Sequence, residues 1–381
     1  MLLIVCWNFI EINYMRNVSL YHVFLMNYIW SKLSLLEFIE QSVNQVVLEK
    51  DYTFSDLFAW TWIVWRYFKK KWHKVIANDL QYYSYVLNRH YIWNHTDLYF
   101  SNLVEEIPEL LTWNVNTYKE IVCNYLENLP EKKWFVYTNY SFWWTKGTEF
   151  ERMYFSDENA WKCDAIRDKI DEWKDNNKIN DDEYYFLLCS LLESIDKVAN
   201  TASVYWAFLK KLKKSAQKPL ELTPADLMLN EQDHIIYNED INTLIKNTKH
   251  DVVYLDPPYN HRQYSGNYHI LETIAKNDKP KIKWKTWMRD CSEQKSLYCS
   301  RDKVKKAYSD LISNIDAKYV FLSYNDEWLM SLEDIKEIMS QRWEYWYFTK
   351  KYNRFKADKD ENREFKKDYV YEYLHYVKIE K

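Results

Sequence analysis

The chain has 381 residues, 28% of them charged and 47% hydrophobic, with a net charge of −4. That length allows one large domain or two, no run of about 20 apolar residues marks a membrane span, and the weak negative charge excludes a uniformly basic nucleic-acid binder. Two residue types are anomalous: there are 2 Gly and 19 Trp, where an ordinary chain of this length has about 27 Gly at ~7%.

In chain order, residues 1–25 open apolar but lack a basic n-region and a small-residue cleavage site, so they do not read as a secretory signal. The pattern becomes orderly at Met26. We read Met26 as the true start and residues 1–25 as a non-native extension. Residues 31–48 read as an amphipathic helix with Leu33, Leu36, Ile39 and Val43 on one side. Residues 52–58 read as a strand, 62–71 as a helix, 74–78 as a second strand ending at Asp79, and 80–91 as a helix. This β-α-β order is a Rossmann-like half.

The turn between the first strand and its helix lies in "DLFAWTWIVW", residues 56–65. Such a turn approaches a nucleotide-like ligand closely and calls for glycine, yet it carries Trp60, Trp62 and Trp65. Reading Trp as Gly makes this stretch conventional. It does the same for "NYIWSK" at Trp30, "KKKWHKVIAND" at Trp72, "ASVYWAF" at Trp206 and "KIKWKTWMRD" at Trp284 and Trp287. One genetic code reads UGA as Trp and another as Gly, so these positions read as UGA codons. Trp173 and Trp346 read as true Trp. The alternative is a genuinely Trp-rich protein.

Residues 95–230 are charged, Asn-rich and helical in pattern, as in "ENAWKCDAIRDKIDEWKD". They read as a helical insertion splitting one α/β core made of residues 26–94 and 231–381. Strands return after it: "IIYNED", "DVVYLDPPY", "AKYVFLSYN", "YWYFTKKYN" and "YVYEYLHYVKI", with helices at 268–277 and 331–340. The six cysteines, Cys6, Cys123, Cys163, Cys189, Cys291 and Cys299, lack zinc spacing and read as free thiols of a reducing cytoplasm.

The chemistry concentrates in "DVVYLDPPYN", residues 251–260. An apolar strand ends in Asp256, and Pro257 and Pro258 stiffen the loop beyond it. Such a loop projects a carboxylate, a carbonyl and the Tyr259 ring into the crevice at the strand ends. Asp256 and the Pro257 carbonyl suit an exocyclic amine, and Tyr259 suits a flat base. The bland alternative is an ordinary rigid turn.

These residues, with the F-A-G-T-G that glycine would restore upstream, resemble the Dam-like class of adenine-specific DNA methyltransferases, which use S-adenosylmethionine. "DPPYNHRQYSGNYHILE", residues 256–272, is most similar to its restriction-associated branch. The resemblance implies an α/β, Rossmann-like sheet with a helical insertion for target recognition. It implies cofactor contacts at Tyr28, Trp30, Lys32, Asp56, Phe58, Ala59, Trp60, Trp62, Asp79 and Asp240, with Glu239 as an alternative to Asp240. Two indoles, of Trp60 and Trp62, would then stand in the cofactor crevice. Phe58 could face the sulfonium. The target adenine would be flipped out of the duplex, stacked by Tyr259, and oriented by Asp256 and the Pro257 carbonyl for in-line transfer. The resemblance implies no covalent intermediate and no metal.

For DNA contact, Arg262 and Gln263 follow the catalytic loop directly. Further basic candidates are Lys210, Lys211, Lys213, Lys214 and Lys218; Lys281, Lys283, Lys285 and Arg289; and Lys350, Lys351, Arg354 and Lys356. Any one run also reads as a solvated face. His269 reads as a packed core histidine. The expected partners are double-stranded DNA and a cognate restriction endonuclease, with no membrane. Two rival readings stay open: methylation of a cytosine amino group or of RNA, and a non-catalytic DNA-binding relative.

Overall fold

The computed structural model describes residues 32–60, 62–111, 114–258, 261–282, 288–325, 329–341, 343–353 and 369–379. The expected start at Met26 and residues Tyr28, Trp30, Tyr259, Lys283, Lys285, Arg354 and Lys356 lie outside them.

Seven strands form one sheet: β1 (Thr53–Asp56), β2 (Lys74–Asn78), β3 (Ile235–Tyr237), β4 (Lys249–Leu255), β5 (Asp316–Asn325), β6 (Tyr345–Asn353) and β7 (Tyr369–Lys378). Their order is β3-β2-β1-β4-β5-β7-β6. β1 to β5 are parallel, and β7 runs antiparallel between β5 and β6. This is the Rossmann-like sheet that the resemblance implies. The strand order reverses between β1 and β4, which makes the carboxyl ends of these two strands the topological switch point where open α/β sheets bind ligands.

The longer helices are α1 (Leu36–Val46), α2 (Ile63–Lys70), α3 (Tyr82–Trp93), α4 (Tyr118–Glu127), α5 (Asp157–Asp175), α6 (Asp181–Lys197), α7 (His269–Lys276), α8 (Val304–Asn314) and α9 (Leu332–Met339). Alternate strand residues face opposite layers. Phe54, Val252 and Tyr254 pack under α1 and α2, whereas Val253, Leu255 and Val320 pack under α8 and α9. Burial on both faces explains why β4 and β5 read as near-continuous apolar runs.

The first expected helix is shorter than its pattern. Residues 32–35 form a 3-10 turn, Leu33 is exposed, and Leu35, Leu36, Ile39 and Val43 are buried. The tighter turn shifts the buried face, and Lys32 is drawn inward by carboxylates described below.

Residues 95–230 contribute α4, α5 and α6, joined by short helical turns. They share a single apolar cluster with α3 and α7 over the β2 side of the sheet, including Val86, Ile166, Leu188 and Ile270. Asn180 and Glu183 form a capping box that starts α6. Arg167 on α5 donates to the carbonyls of Ile274 and Ala275 at the end of α7, satisfying acceptors that a helix end leaves open. Trp173 is fully buried and donates to Glu106 at 3.1 Å, whereas Trp346 is half-exposed on β6. His269 is buried, with Nε2 3.0 Å from the Tyr205 carbonyl. Among the described residues, no helix is long and apolar enough to cross a membrane, and no cluster of His, Cys, Asp and Glu could hold a metal ion.

Candidate active site

β1 ends in Asp56, and the chain leaves β4 at Asp256. Strand register sets Asp56 beside Tyr254, so both carboxylates sit at the switch point. Asp56 is 3% exposed. Burial, then the charge of Asp256, push its carboxyl well above the usual range, against backbone N–H groups of Phe58 and Trp65.

Asp256 is held differently. Lys32 Nζ lies 3.3 Å from its Oδ1 and 2.6 Å from Glu372 Oε1. Burial lifts Asp256 to about 6; Lys32 opposes this and Glu372 adds to it. Lys32 feels burial as a lowering, but the two carboxylates outweigh it and hold the ammonium above its ordinary range. Ser323 Oγ also donates to Glu372. At neutral pH, Asp256 is therefore mostly ionised and can accept hydrogen bonds. Glu372 escaped the sequence reading: it sits in the apolar alternation of β7, more than 300 residues from Lys32, with no local motif around it.

A cleft beside these groups is lined by Phe58, Trp60, Asn78, Asp79, Gln81, Glu239, Asp240, Asp256, Pro258, Tyr264, Ser265 and Tyr298, among others. Of the residues expected at the cofactor, Phe58, Trp60, Asp79 and Asp240 line it. Lys32, Asp56, Ala59 and Trp62 do not line it. Asn78 holds the rim together: its amide donates to the carbonyls of Leu57 and Glu239 and accepts from Glu239 N–H. That one side chain ties together the loops after β1, β2 and β3. Asp79 accepts from Gln81 N–H at 2.7 Å, and burial raises it to about 7. Asp240 is exposed and caps the turn at Ile241–Leu244 through Thr243 N–H. The far wall, Ser296–Tyr298, was not foreseen. It is fixed by Gln263, whose amide donates to Ser296 O at 3.1 Å and accepts from Ser296 N–H at 2.8 Å. Gln263 was expected to reach DNA, but here its amide is engaged with the protein backbone.

The expectation of two indoles in the crevice needs correction. Trp60 is there: its Nε1 donates to Tyr83 Oη at 2.8 Å and its ring meets Tyr264 edge-on. Trp62 is not. It is fully buried and stacks with Tyr91 in the core, because the backbone at the start of α2 turns its side chain under α3. Trp65 is also buried, donating to Asn88 Oδ1 at 3.0 Å.

The carboxylates and aromatic rings around this cleft suit a nucleoside bearing a positive charge. The space does not. The cavity measures about 80 Å³, whereas sites for ligands of cofactor size are roughly 300–1,000 Å³. The Trp60 indole is part of the wall that bounds it.

A second, larger groove of about 810 Å³ adjoins the first and shares Ser265 with it. It runs between residues 202–209, the segment 261–267 and the segment 288–295. Arg262 is exposed along it. Arg289, one of the basic candidates for DNA, is instead 8% exposed and paired with Asp278. Lys210, Lys211 and Lys214 are exposed, but Lys213 donates to the Thr201 carbonyl at 2.9 Å. Lys351 lies over the Tyr369 ring.

A profile of the D12 class N6 adenine-specific DNA methyltransferases matches residues 28–341. The Type II methyltransferase M.NlaIII of Neisseria lactamica is 47% identical over 352 residues, covering 92% of this chain and 98% of that protein. The Type II methyltransferase M.FokI of Planomicrobium okeanokoites is 36% identical over 357 residues, and the match spans 92% of this chain but 52% of that longer relative. The Type II methyltransferase M.CviAII of Paramecium bursaria Chlorella virus 1 is 34% identical, covering 87% of this chain and 93% of the relative.

Proposed function

The chain belongs to the family of D12 class N6 adenine-specific DNA methyltransferases, and from that premise we propose how its residues divide the work. It is a site-specific DNA methyltransferase of the restriction–modification type that modifies the 6-amino group of adenine. Methyltransferases of this kind draw the methyl group from S-adenosylmethionine. In our reading that cofactor belongs in the cleft of Phe58, residue 60, Asp79 and Glu239 or Asp240, with Tyr28 and residue 30 at its methionine end. With Trp60 in its wall, the cleft of about 80 Å³ is too small for that cofactor.

Asp256 acts on the target. An adenine turned out of the duplex costs a few kcal/mol in unstacking. We assign Tyr259 to offset part of that by stacking. The ionised Asp256 carboxylate and the Pro257 carbonyl accept the two amine hydrogens, which fixes the plane of the amine and leaves its nitrogen lone pair as the nucleophile. No covalent bond to the enzyme is required, so the gain comes from positioning and electrostatics. Lys32 keeps Asp256 ionised, and Glu372 fixes Lys32.

Residues 26–94 and 231–381 then form the catalytic core, and residues 95–230 carry target recognition. The larger groove is the path of the duplex, with Arg262 at its mouth and Lys283 and Lys285 nearby in sequence. A cognate endonuclease and a cytoplasmic setting follow from the same reading.

The observation that carries the assignment is the partly buried, ionisable Asp256 at the switch point, held by Lys32. The test is to map modified bases in DNA from cells expressing the chain or its Asp256→Ala variant. N6-methyladenine in one sequence context, lost with the variant, is expected. Modification of cytosine or RNA alone would sink the assignment of Asp256 to an adenine amine.

A further inference from the structure

Helix α2 ends in a Schellman turn. Trp72 N–H donates to Lys69 O at 3.0 Å, and His73 N–H donates to Phe68 O at 3.2 Å. These are the two bonds of that motif, and its C′ position takes the left-handed conformation that glycine fills at no steric cost. The residue there is Trp72, with φ 67° and 64% exposed. Its indole therefore gains little packing in return for the strain.

The other end of α2 repeats the conflict. Trp62 precedes the helix with φ 46°, where its N–H closes a turn onto Ala59 O at 2.9 Å. Phe100, Asn177, Ser203, Asn277 and Lys279 also have positive φ, but none of them is a Trp. Two residues before Trp62, the Trp60 indole forms part of the wall of the small cleft that this loop borders, bonded to Tyr83 and packed on Tyr264. Three independent observations, at a helix end, a helix start and a cavity wall, thus ask for the same residue within thirteen positions. The chain as a whole has 2 Gly and 19 Trp.

We infer that residues 60, 62 and 72 are glycine in the protein made in its own cell, where UGA is read as glycine, and that the cofactor cleft is open only in that form. Other Trp residues are well placed as they stand. Trp173 is buried and hydrogen-bonded to Glu106, and Trp65 is helical, buried and bonded to Asn88; nothing in their backbone asks for glycine. The part concerning the cleft rests on the function proposed above, and the part concerning Trp62 and Trp72 does not.

Two measurements separate them. Full-length W72G and W62G/W72G are compared with the Trp chain by thermal unfolding. Because relief of left-handed strain stabilises, the midpoint should rise by a few degrees with W72G, whose indole is exposed; the double variant should fall below W72G, because removing the buried Trp62 indole leaves a cavity beside Tyr91. An unchanged or lower midpoint for W72G would overturn the inference, as would Trp at these positions in peptide masses from the natural source. Calorimetry with S-adenosylmethionine then compares the Trp chain with W60G/W62G/W72G. Binding at least tenfold tighter in the triple variant is expected. Equal binding by the Trp chain would overturn the closed-cleft claim. If the W72G midpoint rises but neither form binds, the glycines stand and the cofactor reading fails.

Discussion

Lys32 Nζ bridges two carboxylates from the far half of the chain, 2.6 Å from Glu372 and 3.3 Å from Asp256. The bridge sets the charge of Asp256, the residue we propose faces the target amine. Glu372 raises the Asp256 pKa and Lys32 lowers it, so removing either should move the acid limb of the reaction in opposite directions. With Asp256 at about 6, transfer should fall as pH drops through that value, because a protonated carboxyl accepts hydrogen bonds poorly. Glu372→Gln should shift this limb to lower pH and Lys32→Met to higher pH. Each should also cost about tenfold in rate, the equivalent of about 1.4 kcal/mol. Rate–pH profiles of the two variants in the W60G/W62G/W72G background read the signs. Shifts in the same direction would remove Lys32 and Glu372 from the account.

Asp256→Ala in that background should abolish methyl transfer, by about 10³-fold or more, while leaving cofactor affinity within a few-fold. In the proposed reading the carboxylate serves the target amine, so binding and transfer should separate. Tyr259→Ala should impair transfer less severely, since stacking lowers the cost of flipping and does not polarise the amine. Calorimetry beside a labelled-methyl assay on duplex DNA measures both. Parallel loss of binding and transfer in Asp256→Ala would mean that the residue holds the cofactor site together.

The exposed lysines near the larger groove should act through phosphates. Replacing Lys210, Lys211 and Lys214 with Ala should weaken binding on all sequences alike. The slope of log affinity against log salt should fall by about one for each phosphate that is no longer neutralised. Lys213 is left out because its ammonium is bound to Thr201 O. An unchanged salt slope would mark the run as a solvated face.

Glu106 is the polar hub of the helical region. It takes hydrogen bonds from Tyr125 and Trp173 and ion pairs from Lys169 and Lys178. Burial alone would raise its pKa, but these donors hold it down at about 2. A depressed carboxyl pKa gives stability that is complete above the unfolded value of about 4.3 and lost as pH falls through the folded one. Glu106→Gln should therefore cost about 1–3 kcal/mol at pH 7 and less at pH 3. Denaturant melts at the two pH values check this, and an equal cost at both would deny the ionic origin.

Much of the core was legible locally. The apolar run before "DPPY", the β2 strand ending at Asp79 and the late strands β5 to β7 all fall within a few residues of where periodicity set them. Strands buried on both faces write themselves as continuous hydrophobic runs. Composition by itself raised the question of misplaced Trp, because a chain with 2 Gly and 19 Trp is short of the residue that takes positive φ at least steric cost. Other features depend on pairings made across the fold. Leu33 turns outward because a buried Lys32 must meet its carboxylates, and Glu372 joins the site because antiparallel β7 lies next to β5. Gln263 is bound to Ser296 and Arg289 to Asp278, which no spacing of basic or amide residues announces. Sequence determines what each residue can do and which backbone states it tolerates. The partners of a buried charge are chosen only when the sheet brings distant segments together, since the cost of burying it must be offset by whichever opposite charges arrive.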